Sequence, residues 1–225
     1  MRRGVSALVG VLALSGLCAC PPPGEELSAE AVAAAFGLVD GRVMHFAVEQ
    51  GGSTTEDHSF ARSSSYAERY VVTRTEQTQG FIRVSADGTA AVTDFETTAD
   101  AEEETGEVLM VARGDCLPRC LDYDPPVLVA AYPWTAGARQ ETSSTATVHE
   151  GEQTSTLEER HVFTVGSEGQ LSTEAGDFDV FELSWQRFVD GGEAEYATLY
   201  LSPEVGLIGL DRFDGASLRL TSQEN

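Results

Sequence analysis

The feature that most constrains this chain is an alternation of apolar and polar residues over segments of strand length. It recurs at Met44, Phe46 and Val48; at Tyr66, Tyr70 and Val72; at Val108 and Met110; at His161, Phe163 and Val165; at Phe181, Leu183 and Trp185; and at Ala197, Leu199 and Leu201. Successive side chains of an extended strand point to opposite faces, so each segment offers one face to a core and one to water. Gln50-Gly51-Gly52, Asp87-Gly88, Gly166-Ser167-Glu168-Gly169, Asp190-Gly191-Gly192 and Asp214-Gly215 punctuate the chain between them as turn formers. Strands joined by tight turns pair antiparallel, and no helical period long enough for a parallel crossover follows Gly41. The pattern predicts a mainly β fold: a curved antiparallel sheet, an open or half barrel.

One short N-terminal helix precedes the strands, with Ser28 as N-cap, helix formers from Ala29 to Phe36 and Gly37 as the stop. Val205, Leu207, Ile208 and Leu210 place apolar side chains on both faces, which predicts a central strand covered on both sides. Pro203 cannot donate to a ladder and Gly206 accepts positive φ, so Ser202 to Gly206 reads as a tight connection into that strand. No linker-like composition interrupts residues 28–225, which are expected to form one domain. Phe36 to Gly41 and Tyr132 to Gly137 echo each other as an aromatic, a turn residue and a later glycine ahead of a strand, and could be equivalent entries into two halves of the sheet.

The N-terminus has the form of an export signal: Arg2 and Arg3, an apolar run from Val5 to Leu17, and small residues before Cys20. The run is too short to span a bilayer, and Pro21, Pro22 and Pro23 stop any helix after it. Leu17-Cys18-Ala19-Cys20 resembles the lipobox of bacterial lipoproteins, so residues 1–19 are read as a signal peptide, Cys20 as the lipid acceptor and 20–27 as a short tether. The competing reading is an ordinary secretory signal that leaves Cys20 as a free thiol.

Cleavage there removes two arginines and no acid, making the mature chain two charges more negative than the −23 of the whole sequence. Such a surface repels nucleic acid and anionic headgroups, which excludes nucleic-acid binding and leaves the acyl anchor as the means of membrane attachment. Cys116 and Cys120 remain as a pair in an oxidising compartment and are expected to form a disulfide, a local clip worth about 2 kcal/mol or less because its loop is so small. A redox or metal role for them fits the spacing less well.

Ala175-Gly176-Asp177-Phe178-Asp179-Val180, followed by Tyr196 to Ile208 with its Tyr200-Leu201-Ser202-Pro203-Glu204-Val205-Gly206-Leu207 turn, resembles a group of uncharacterised bacterial envelope lipoproteins. In these a G-x-F strand precedes a Y-x-x-P-x-V-G-L turn and strand, and Tyr132-Pro133-Trp134 with Gly137 resembles the element before them. The resemblance covers about the second half of the mature chain. It implies a curved antiparallel sheet like that of periplasmic lipoprotein carriers, with a concave face able to hold acyl chains; fold alone does not assign function.

Val165-Gly166-Ser167-Glu168-Gly169 lacks the glycine spacing of a nucleophile elbow and reads as a hairpin turn. His45, His58, His149 and His161 form no metal-binding pair; His45 and His161 fall in strand patterns and read as structural. The acidic run Asp94 to Glu107 lacks the register of a calcium loop and reads as a solvated loop. No catalytic residue, metal or cofactor is assigned. Trp134, Trp185, Tyr66, Tyr70, Tyr196 and Tyr200 are the candidate ligand-face aromatics. The expectation is an exported, lipid-anchored, non-enzymatic envelope module that takes an apolar or amphipathic ligand on a concave sheet. The alternative is a structural lipoprotein that docks another envelope protein and holds no small ligand.

Overall fold

The structure is a computed structural model that describes residues 27–50, 64–74, 79–84, 90–115 and 119–224. Residues 1–19, Cys20 with most of the tether, and Cys116 lie outside the described residues. The Ser28 side chain accepts from the Ala31 N–H and starts α1 (Ala29–Ala35), with Phe36 as its C-cap. Among the described residues twelve strands follow: β1 (Val43–Gln50), β2 (Ser64–Arg74), β3 (Gln79–Val84), β4 (Ala90–Asp100), β5 (Thr105–Asp115), β6 (Arg119–Tyr132), β7 (Arg139–Glu150), β8 (Gln153–Thr173), β9 (Gly176–Val189), β10 (Glu195–Ser202), β11 (Gly206–Asp211) and β12 (Ala216–Glu224).

Each strand pairs antiparallel with the next, as tight turns require. β1 also pairs with β12, so the strand order runs round as a closed ring. The expected curved antiparallel sheet with one short helix is therefore present, and its two ends meet. The wall is nevertheless incomplete. β6 pairs with β7 only through Arg119 to Asp124, and Pro125 and Pro126, which have no N–H to donate, follow directly. Beyond them single side-chain bonds replace the ladder: Leu128 N–H donates to Thr142 Oγ1 at 3.2 Å, and Ser144 Oγ donates to the Pro125 carbonyl at 2.7 Å.

Met44, Phe46 and Val48 point inward and are fully buried, as do Ala216, Leu218 and Leu220 on the neighbouring β12. This is the alternation expected of a sheet that is wet on its outer face. α1 plugs one end of the ring with Val32, Ala33 and Phe36 buried. Phe36 sits edge-on to Phe95 at 5.3 Å and to Trp134 at 6.5 Å, so the two echoing segments of the sequence meet in space.

The helix end is seated on the β10–β11 turn, where glycine meets glycine. Gly206 has φ +93° and Gly37 φ +87°. A Cβ on Gly206 would fall 2.1 Å from the Gly37 Cα. The connection read from Ser202 to Gly206 is thus a turn, and it also docks the helix. The strand it feeds is buried throughout Gly206 to Gly209; Leu171, from the far end of the β8–β9 hairpin, lies over Gly209.

Two sequence expectations are corrected. The acidic run Asp94 to Glu107 is a β hairpin, not a loop: Glu102, Glu103 and Glu104 occupy its exposed turn, where Asp100 caps the Glu102 and Glu103 N–H groups. Asp94 lies within β4, and burial first, then the nearby Asp122 charge, raises its pKa. Val165 to Gly169 is not a hairpin turn but an irregularity inside β8, where the register against β9 slips between Val165 and Glu168; the turn comes later, between Thr173 and Gly176. Two glycines favoured the turn reading, but the ladder resumes at Glu168 with Gly169 paired to Val180, so the segment is a bulge.

Candidate ligand cavity

The half of the interior away from the α1 plug is not filled. A cavity of about 410 Å³ lies there, within the size range of small-ligand sites. Phe36 forms its floor; Tyr70, Phe81, Phe95, Phe163 and Trp185 wall it, with Leu199, Leu207 and Leu210 between them. The rings meet edge to face: Tyr70 to Phe81 at 6.4 Å and Phe81 to Phe95 at 5.9 Å, each contact contributing about 0.5–1.5 kcal/mol beyond its burial.

At the end opposite α1 the lining changes character, with Arg113, Arg187, Arg212 and Asp214 around Phe213. Phe213 stands edge-on to Trp185 at 4.6 Å. The Arg187 guanidinium carbon lies 4.7 Å from the centre of Phe213, and that of Arg113 lies 5.8 Å from Phe213 and 5.3 Å from Trp185. These cation–π contacts hold two arginines against aromatic faces inside the barrel mouth.

Bulges bring the cationic groups inward. On β5, Met110 pairs with Phe95 and Arg113 with Thr93, and all four line the cavity. Strict alternation from Met110 would instead point Ala112 inward. The register slip that includes Val111 moves the phase by one residue and presents Arg113. On β11 the slip at Ile208 does the same, so Leu207 and Leu210 both face in, with Arg212 two residues on.

Behind this wall is a buried polar chain. Glu159 is 3 % and His161 0 % exposed. The Trp185 indole N–H donates to His161 Nδ1 at 3.0 Å; since indole can only donate, Nδ1 must accept and the ring proton sits on Nε2. Nε2 lies 3.0 Å from Glu159 Oε2, close but poorly aligned, and the Tyr123 hydroxyl donates to the same oxygen at 3.1 Å. Burial alone would raise the Glu159 pKa. The His161 contact, the Arg113 charge and the Tyr123 hydroxyl outweigh it and hold the carboxyl below its usual range. His161 lies buried in its strand and fixes the ring of Trp185, which faces the cavity. His45 is about one-third exposed, beside Glu224 at 3.7 Å.

Of the six candidate aromatics, Tyr70 and Trp185 line the cavity. Trp134 packs outside it, against Phe36 and Phe181. Tyr196 is on the outer face, 65 % exposed. Tyr200 also faces out, donating to Asp211 at 2.8 Å with Arg219 over its ring. The Tyr66 side chain lies outside the described residues. The phenylalanines and arginines of the cavity were not singled out from the sequence. Phe163 and Phe95 carried a usable signal in the strand period, and Arg113 carried none. Cys120 is half-buried, and its expected partner Cys116 lies outside the described residues. Among the described residues no group of His, Cys, Asp and Glu converges as metal ligands.

Burial, then the Asp211 hydrogen bond and charge, push the Tyr200 pKa up to about 12. The folded state holds this proton more tightly than the unfolded state, whose tyrosine titrates near 10. The stabilisation is therefore complete below pH 10 and is lost between about 10 and 12. Tyr200→Phe is expected to flatten the alkaline fall in thermal midpoint, and ultraviolet titration should lose one late-ionising phenol.

The ring and its lined interior define an antiparallel β barrel with a plugged apolar cavity and an arginine cluster at the opposite end. No protein-family model matches the chain, and no curated protein matches it. Among solved structures it is similar to a candidate lipoprotein from Parabacteroides distasonis, with 13 % identity, a TM-score of 0.50, and 84 % of this chain and 97 % of that one covered. It is also similar to a candidate exported protein with a YmcC-like fold from Bacteroides fragilis, at 9 % identity and a TM-score of 0.44, covering 84 % of this chain and 98 % of that one. At 13 % identity the first likeness establishes a shared fold.

Proposed function

We propose that this chain is an exported, lipid-anchored envelope module that holds an apolar or amphipathic ligand inside its barrel and performs no chemistry on it. The observation that carries this reading is the aromatic-lined cavity of about 410 Å³, left open where side chains could have filled it. Small barrels ordinarily pack their interiors, and an unfilled apolar space forfeits dispersion contacts that a ligand would restore. The lipobox-like Leu17 to Cys20 supports anchoring through Cys20, and the candidate lipoprotein of the same fold accords with export. A surface this acidic supports attachment by acyl chains rather than by headgroup contacts.

The test is extraction of full-length protein carrying Cys20→Ala, purified without detergent, with mass spectrometry of the organic phase. One amphiphile per barrel supports the reading; an empty barrel returns the chain to the role of a scaffold that docks another envelope protein. Metabolic labelling with a clickable fatty acid should mark the wild type and not Cys20→Ala. Thiol counting on denatured, unreduced protein should find Cys116 and Cys120 blocked; two reactive thiols would remove the disulfide.

A further inference from the structure

We infer that the ligand is a single-chain amphiphile with one negative charge, whose head is bound by Arg113. This rests on the cavity's being a ligand site and adds what that ligand must carry. Of the three arginines at the cavity end, two have carboxylates at hand. Arg187 is bound by Glu195 and lies 4.0 Å from Glu159, and Arg212 is 2.5 Å from Asp214. Among the described residues Arg113 has no carboxylate within ion-pair distance. Glu159 reaches it only through the longer-range field, and its Oε2 already accepts from the Tyr123 hydroxyl.

Arg113 is half-buried against Trp185 and Phe213, so its guanidinium has given up part of its hydration for aromatic faces and can still offer its planar donors to an anion. A carboxylate or phosphodiester at the end of an alkyl chain meets both requirements, with the chain along Phe81, Phe95 and Phe163 toward Phe36 and the head on Arg113. The sign of the whole molecule narrows the choice. With a net charge of −23, the long-range field opposes an anion in proportion to its charge, so one local guanidinium favours a monoanion over a multiply charged head.

Isothermal titration of full-length Cys20→Ala protein with laurate, 1-dodecanol, dodecyltrimethylammonium and a lysophosphatidylglycerol tests this. Laurate should bind about tenfold or more tighter than dodecanol, the scale of a charge-assisted bond. Arg113→Gln should bring laurate down to the level of dodecanol without weakening dodecanol, and Arg113→Lys should keep most of the preference. Lysophosphatidylglycerol outbinding laurate would also support the inference and assign the head to a phosphodiester. Equal binding of laurate and dodecanol, or tighter binding of the cation, overturns the head-group assignment and leaves the cavity reading standing. No binding of any probe overturns both.

Discussion

Gly206→Ala is expected to leave little folded protein at ordinary growth temperature. The added Cβ would sit 2.1 Å from the Gly37 Cα and 2.7 Å from its N, and the residue would hold φ +93°, where L side chains are strained. Both obstacles are backbone, so no side chain can swing away. Relief would require lifting α1 off the β10–β11 turn and withdrawing Phe36 from the cavity floor. A loss above about 4 kcal/mol follows, a large part of the 5–15 kcal/mol that stabilises a typical domain. Gly169→Ala is the matched control: its Cβ would meet nothing within 4 Å, and its stability in urea should lie within about 0.5 kcal/mol of wild type. A Gly206→Ala protein that unfolds at the wild-type midpoint would disprove the glycine seat.

Glu159→Ala should cost about 3 kcal/mol, because it removes one member of a buried, charge-bearing network and strands the others. The Tyr123 hydroxyl would lose its acceptor, His161 Nε2 its neighbouring carboxylate oxygen, Arg187 a counter-charge at 4.0 Å and Arg113 a longer-range one. Tyr123→Phe removes the hydrogen bond to Glu159 and should cost about 1 kcal/mol. The acid side follows from the direction of the pKa. Glu159 is held below the ordinary glutamate value of about 4.5, so its stabilisation is fully present above that pH. It fades as pH falls through the lower folded-state value. The difference in urea stability between wild type and Glu159→Ala should therefore narrow on acidification. A gap unchanged down to the acid unfolding transition would show that the carboxylate charge contributes nothing.

Much of the fold was written in period two. Met44, Phe46 and Val48 alternate without interruption and all three are inside, and the Ser28 cap and Gly37 stop bound the helix as their chemistry requires. The alternation that puts Ala197, Leu199 and Leu201 on the inner face also obliges Tyr196 and Tyr200 to face out. Their exclusion from the cavity was thus legible once face took precedence over residue type. Closure of the ring was not legible, since β1 meets β12 across the whole length of the chain and no local pattern specifies that pairing. Arg113 was hidden for a different reason. It enters the cavity because Val111 is an extra residue in the ladder, and a bulge on β5 depends on partners in β4 and β6. The glycines at Gly166 and Gly169 misled in the opposite sense, marking a bulge within β8 as a turn.

The central claim, that the barrel interior receives a ligand, is tested most directly at Trp185. The sequence holds two tryptophans, so Trp134→Phe leaves Trp185 as the sole indole, and it faces the cavity. A brominated alkyl carboxylate quenches indole emission only on near contact. Titrated into the full-length Cys20→Ala, Trp134→Phe protein, it should quench Trp185 saturably at one equivalent. Emission that stays unquenched, or falls only linearly with the bromide as for an exposed indole, would contradict the account.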